Sequence, residues 1–182
     1  MSTQQTEGIY PMESGISTIE IPVDSEISNY LPAAGFYDSF AARIHSPHRS
    51  AMEIYLDFVA QTPGWVNGLM TARNRLVALF GIKNLGSLKV VDQTKPASDY
   101  RVGDRVGIFS LAHISDDEVI LEDVDRHLHV RISISKIPGA GGDQIALSTV
   151  VHIRNALGRV YMLFVAPAHK LIFPAMLSRI SV

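Results

Sequence analysis

The chain has 182 residues, a formal net charge of -2 and no cysteine. This length fits one domain with its own core. The lack of thiols excludes disulfides, cysteine nucleophiles and thiolate metal sites, and it suits a reducing compartment, so we expect a cytoplasmic protein. Interspersed acids and bases give no electrostatic footprint for nucleic acid. A hydrophobic content of 47% predicts a large core, an internal cavity or a buried interface.

The first 28 residues are polar and rich in turn-forming residues, and we interpret them as an arm that is partly disordered or adds an edge strand. The first fifteen lack the basic start and apolar stretch of a secretory signal. Within the arm, the alternating segment 19–23 predicts a short edge strand that ends at a proline. The folded domain is expected over residues 29–182.

The first strand of the domain is predicted at residues 36–44, where the pattern changes to strict alternation. Phe36, Asp38 and Phe40 then share one face. That face is otherwise apolar, so Asp38 stands out as a charge among core positions.

Two consecutive helices follow this strand. The sequence Ser50-Ala51-Met52-Glu53 is a capping box, which begins a helix extending to about residue 61. Thr62-Pro63 then predicts a second helix, with threonine as the cap and proline at the first helical position, where its missing N–H costs nothing. We expect the second helix to end at Phe80, because Gly81 is a natural stop.

After Lys83 the helical period disappears and the chain reads as a series of strands with short connections, which makes successive strands antiparallel. In the segment 128–134, apolar residues alternate with His129, Arg131 and Ser133, which indicates one covered face and one wet face. The candidate strands are residues 88–92, 106–114, 119–123, 128–137, 145–153 and 160–165.

A last helix is predicted to open at Pro167, with Pro174 producing a kink or a short break. The resulting order is β-α-α-β-β-β-β-β-β-α. It predicts an α+β fold of the helix-grip type, in which an antiparallel sheet of about six to seven strands wraps around a long C-terminal helix.

Four separated motifs carry a family resemblance: Pro63-Gly64-Trp65-Val66 with the following Leu69–Arg73, then Asp125–Arg131, Gly158–Tyr161 and Pro167–Ile172. In this order they resemble a mainly bacterial family that is catalogued as a domain of unknown function. That family is placed within the START-like superfamily, which includes birch-pollen-allergen-like and polyketide-cyclase-like proteins. The resemblance implies an apolar or amphipathic ligand held between the sheet and the last helix. Because some relatives are cyclases or hydrolases, it also leaves an enzyme open.

A metal site is suggested by four residues that alternate onto one face at the candidate strand 128–137: Asp125, His127, His129 and Arg131. The sequence does not fix a third ligand, and the opposite face is apolar. We therefore interpret these residues as a solvated strand face and expect no metal.

Arg73 lies inside the apolar stripe of the second helix, at helical spacing from Leu69 and Leu76. A buried guanidinium needs a partner. We prefer a structural ion pair between Asp38 and Arg73, which ties the first strand to this helix. The alternatives are an anionic ligand group held by Arg73 and extension of its side chain to solvent.

His169 and Phe173 fall on the inner line of the last helix, where His169 could act as a base or ligand contact, or bond a nearby carbonyl. Tyr55 and Tyr161 each combine a core ring with a hydroxyl. Trp65, the one tryptophan, is interpreted as a core anchor. The candidate ligand-pocket residues are Tyr55, Trp65, Arg73, Tyr161, His169 and Phe173.

The sequence therefore predicts a module that binds a small apolar or amphipathic molecule, without a cofactor, a nucleic-acid partner or a membrane span. It contains no catalytic motif of the nucleophile-elbow or zinc-protease type. The alternatives are a cyclase- or hydrolase-like enzyme in the same pocket, and a protein-interaction subunit such as a homodimer with a self-complementary apolar patch.

Overall fold

The computed structural model describes residues 15–44, 48–78, 94–137 and 144–181, with residues 72–78 described by their backbone alone. Within these residues seven strands form one antiparallel sheet in the order β1-β2-β7-β6-β5-β4-β3. The strands are β1 Ile16–Thr18, β2 Phe36–Arg43, β3 Arg105–Val106, β4 Phe109–Ile114, β5 Glu118–Val124, β6 Leu128–Ile137 and β7 Gln144–Ile153.

Three α-helices accompany the sheet: α1 Ala51–Ala60, α2 Gly64–Ala78 and α3 Ala156–Leu177. Short 3₁₀ turns occupy Glu26–Tyr30 and Ala97–Asp99. The observed succession of one strand, two helices, a run of antiparallel strands and a closing helix confirms the predicted α+β helix-grip architecture.

The capping box at the start of α1 is formed as predicted. The Ser50 hydroxyl accepts the backbone N–H of Glu53, and the Glu53 carboxylate accepts the backbone N–H of Ser50. These reciprocal bonds satisfy two backbone donors that a helix start otherwise leaves unpaired. They also lower the pKa of Glu53 below its ordinary value.

The closing helix is longer than the sequence pattern predicts. The expected strand at residues 160–165 is wrong, because this segment is helical, and Pro167 and Pro174 both lie inside one continuous helix. The start of α3 is Asn155, whose side chain accepts the backbone N–H of Gly158. An N-cap therefore replaces the expected hairpin turn at residues 155–158.

Two strand predictions need smaller corrections. The edge strand lies at residues 16–18 rather than 19–23. The segment 106–114 is divided into β3 and β4 by a tight turn in which Gly107 has φ of 63°, a conformation that glycine adopts without steric cost. The candidate strand at residues 88–92 and the helix stop at Gly81 lie outside the described residues.

The inner face of the sheet carries the core. Phe36, Asp38 and Phe40 of β2 share this face with Leu128, Val130, Ile132 and Ile134 of β6, as the alternation predicts, because both strands pair with β7 in matching register. The main core joins this face to α1, Val66 of α2 and the last turns of α3.

The outer face is less wet than predicted. Residues 21–31 cross it, and Ile21 and Ile27 pack there on Ile120 and Val150. A buried carboxylate fixes this segment: Glu118 accepts the backbone N–H groups of Glu26 and Ile27 at 2.5 and 3.2 Å, and the Ser133 hydroxyl at 2.6 Å. Three donors compensate the cost of burying the Glu118 carboxylate. The outer face is therefore covered by residues 21–31, which make both apolar and polar contacts with it.

By length and composition α3 could cross a membrane, although the same test is passed by core helices of globular domains. Its inner side chains Met162, Phe173, Met176 and Leu177 are buried against the sheet and α1. The inner side of the helix thus packs in the core, while its opposite side is exposed.

Candidate functional site

A cavity of about 380 Å³ lies between the inner face of the sheet and the three helices. The sheet contributes Ile132 and Val130 from β6 and Val151 from β7. Its polar lining residues among those described are Tyr55, Asp123, Asp125, Tyr161 and His169; the other lining side chains are apolar. An apolar cavity with a few polar groups is the usual form of a small-molecule site.

Each helix contributes a different part of the wall. Helix α1 contributes the buried residues Tyr55 and Phe58. Helix α2 contributes Leu69 and Met70, which are more exposed to solvent. From α3 come residues of four successive turns: Tyr161, Met162, Phe164, Val165, Ala168, His169, Ile172, Phe173 and Met176. The length of α3 is therefore what roofs the cavity, and a helix that began at Pro167 would leave half of this roof missing.

The predicted pocket residues separate into three groups. Tyr55, Tyr161, His169 and Phe173 all line the cavity. Trp65 is 48% exposed and is not the predicted core anchor, because Val66 is the residue of this turn that is buried. The side chain of Arg73 lies outside the described residues, so its contact with a ligand and its ion pair with Asp38 stay predictions.

Tyr55 is a fully buried phenol in the wall formed by α1. Burial disfavours the phenolate and raises the pKa of Tyr55 well above its ordinary value. The hydroxyl is therefore neutral throughout the physiological range.

His169 faces Asp38 across the space between α3 and β2. Its Nδ1 lies 3.7 Å from the Asp38 Oδ2, and the side chains are 15% and 8% exposed. The imidazole also packs on the Phe173 ring at 4.5 Å and meets the Phe36 ring edge-on at 5.9 Å. Aromatic rings thus hold the imidazole between the carboxylate and the cavity.

Four buried polar atoms at this place have no hydrogen-bond partner in the part of the chain that the structure describes: Nδ1 of His169, both carboxylate oxygens of Asp38 and the hydroxyl of Thr149. Thr149 is directly opposite Asp38 in the β2–β7 pairing. Opposed residues on one face of an antiparallel pair have Cβ atoms only about 5 Å apart. The three side chains consequently form one polar cluster in an apolar setting, which we call the inner polar cluster.

The first turn of α3 is fixed against the turn between β5 and β6. The Arg126 Nε donates to Nε2 of His127 at 2.7 Å, so Nδ1 of that ring carries the proton and donates to the Asn155 side chain at 3.0 Å. The same Asn155 oxygen caps α3. His127 is thus a structural residue that anchors the cavity roof.

The predicted constellation of Asp125, His127, His129 and Arg131 is divided by the structure. Asp125 accepts the backbone N–H of His127 and Leu128 in the turn before β6, and His127 belongs to the α3 anchor. His129 and Arg131 remain on the outer face, both beside Glu122 at 2.7 and 3.4 Å. Among the described residues no group of three or more histidine, aspartate or glutamate side chains is placed to hold a metal ion.

Sequence reasoning missed Thr149 and Met162. Thr149 lies in a strand that is buried on both faces and mixes apolar and small polar residues on each, so its pattern gives no face assignment. Met162 was placed in a strand. The signal that could identify it is Asn155, a favoured N-cap residue, directly before an apolar run.

The comparisons with known proteins identify the family and leave its activity open. No curated protein and no solved structure matches the chain. A family model described as "Protein of unknown function (DUF2867)" matches residues 30–176, which include β2 to β7, all three helices and the inner polar cluster. The chain therefore belongs to the DUF2867 family.

Proposed function

We propose that the chain binds a small apolar or amphipathic molecule in the cavity beneath α3. The observation that carries the proposal is a space of about 380 Å³ whose described walls are apolar apart from five residues. This volume is within the usual range for ligand sites.

The likeness of the element order to the START-like superfamily, and of the four motifs to a family placed within it, supports the same function, since such proteins commonly hold apolar ligands in this place. The cysteine-free composition and the core packing of α3 support a cytoplasmic setting. The ligand thus enters from solution or from another protein.

Native mass spectrometry after gentle purification tests this function directly. We expect a mass increment from a copurified molecule, and we expect organic extraction to release it and to leave the chain at its sequence mass. Refolded protein should regain the increment on incubation with a lipid extract. A cavity that takes up nothing in either form of the experiment would contradict the proposal.

A second candidate function is self-association, because α3 also has an exposed apolar side. Val160, Leu163, Phe164 and Leu171 are 52%, 72%, 67% and 70% exposed, and they lie at helical spacing on one stripe. Sedimentation of the wild type and of Leu163→Glu tests this candidate. A dimer that Leu163→Glu converts to monomer would support it, and a wild-type monomer at all concentrations would reject it.

An enzyme of cyclase or hydrolase type remains the alternative use of the same cavity. It needs two polar groups that converge on one point of the pocket. His169 lines the cavity and supplies one such group, with the Asp38 carboxylate 3.7 Å from its ring. Turnover of a bound molecule, detected as a mass change of the extracted ligand with time, distinguishes this alternative from binding alone.

A further inference from the structure

The inner polar cluster of Asp38, Thr149 and His169 specifies the chemistry of the ligand, an inference that rests on the proposed binding function. The three residues come from β2, β7 and α3, which are separate in sequence and converge under the cavity roof. His169 lines the cavity, and Asp38 lies behind it at 3.7 Å. A molecule in the cavity therefore meets the cluster at His169.

The cluster lacks the hydrogen bonds that buried polar groups normally have. Asp38 is more than nine-tenths buried, Thr149 is fully buried, and no described group donates to either carboxylate oxygen. By contrast, the buried Glu118 on the outer face has three donors. Unpaired buried polar groups are costly and uncommon, and a polar group of a bound molecule would satisfy them.

The charges around the cluster decide which polar group fits. A carboxylate only accepts hydrogen bonds, so Asp38 needs donors. The charged or titratable residues that line the cavity among those described are the acids Asp123 and Asp125, the phenols Tyr55 and Tyr161, and His169 itself. A second carboxylate beside Asp38 would meet like charge, whereas a hydroxyl or an ammonium group would supply the missing donor.

We propose that the ligand carries a hydrogen-bond donor without negative charge at one end, a hydroxyl or a protonated amine, and that this group binds at His169, where the Asp38 carboxylate 3.7 Å behind the ring favours it. The apolar remainder of the ligand occupies the rest of the cavity. Thr149 completes the cluster, because it lies opposite Asp38 and its hydroxyl can rotate to donate to that carboxylate and orient it toward His169. The ligand class is thus an amphipathic alcohol or amine rather than a fatty acid.

A matched series of decyl compounds tests this inference near pH 7, with decane, 1-decanol, decylamine and decanoate as competitors of the neutral dye diphenylhexatriene. We expect the alcohol and the amine to bind at least about tenfold more tightly than decanoate, the effect of one charge-assisted hydrogen bond. A preference of the amine over the alcohol identifies an ammonium ligand, and the reverse identifies a hydroxyl ligand.

Asp38→Asn should reduce the difference between the amine and decanoate to within about threefold while decane binding stays unchanged, because only the charge is removed. Thr149→Val, which keeps the volume, should weaken the alcohol and leave decane unchanged. The matched control is Asp117→Asn, which removes a carboxylate that is 82% exposed, and it should behave like the wild type.

Two results would overturn the inference: tighter binding of decanoate than of the alcohol and amine by the wild type, or an unchanged preference in Asp38→Asn. Decane separates this failure from failure of the proposed function. If decane displaces the dye, the cavity binds apolar molecules and only the head-group assignment is wrong. If neither the dye nor any competitor binds, the binding function itself is wrong.

Discussion

At the scale of single residues, Asp38 is the side chain whose role is most in question: it either pairs with Arg73 in the framework or serves the ligand beside His169. Alternation along β2 correctly predicts that it lies on the inner face between Phe36 and Phe40. Its neighbour His169 could not be predicted, because that contact depends on where α3 crosses the sheet, 131 positions later in the chain. Strand periodicity fixes a face, whereas tertiary packing fixes a partner.

Replacing Asp38 by asparagine distinguishes a ligand-binding role from a framework role. If Asp38 serves the ligand, removing a buried charge that lacks donors should leave the free energy of unfolding unchanged or raise it. The predicted structural ion pair with Arg73 would instead make Asp38→Asn and Arg73→Met each cost about 3–5 kcal/mol. Urea unfolding of the ligand-free proteins measures the difference, and a loss of that size in both variants would assign Asp38 to the framework.

The capping box at Ser50 predicts a pH dependence of stability. Hydrogen bonds from the backbone and hydroxyl of Ser50 lower the pKa of Glu53 in the folded chain below its ordinary value. The stabilisation is thus present above the unfolded pKa and is lost as pH falls through the folded pKa. Relative to the wild type, Glu53→Gln should lose stability at neutral pH, and the two proteins should converge as the pH falls below the ordinary pKa of a glutamate and through the lowered pKa of Glu53. A difference that does not change with pH would contradict this origin.

At the scale of elements, the start of α3 shows where sequence patterns mislead. The run Val160–Val165 is rich in β-branched and apolar residues, which favour a strand. The local cap at Asn155 and the packing of Met162 against Leu128 and Val151 override that preference. Short apolar runs are ambiguous between buried strand and buried helix, and here the capping residue carries the information.

Gly158 should be required for the seating of this helix. A Cβ at this position would lie 2.6 Å from the His127 carbonyl oxygen and 3.1 Å from the Leu128 and Ile153 side chains. Gly158→Ala should therefore lower the free energy of unfolding by about 1–3 kcal/mol, although alanine is the better helix former. The matched control is Gly68→Ala in α2, where a Cβ meets nothing within 4 Å. It should stabilise the chain by about 0.5–1 kcal/mol, and equal effects of the two changes would contradict the close approach.

At the scale of the whole molecule, the sequence predicted the fold class because the order of elements and the short connections leave few antiparallel topologies open. It did not predict the covered outer face. Two of the donors to Glu118 are backbone N–H groups 91 and 92 positions away in the sequence. The local sequence around Glu118 contains no pattern that predicts such distant donors. The site was predictable only in part. Periodicity predicted which residues of each element face the core, but it did not predict which residues of different elements meet there.

The central claim is that the cavity accepts a ligand. The most direct test compares dye binding by the wild type with binding by a variant whose cavity is filled by a larger side chain. Ala168 lines the cavity on α3, whereas Lys170, two positions later, is exposed. We predict that Ala168→Trp abolishes binding of diphenylhexatriene, because the indole occupies the space, and that Lys170→Trp retains wild-type affinity. Equal binding by the wild type and both variants, or no binding by the wild type, would contradict the account.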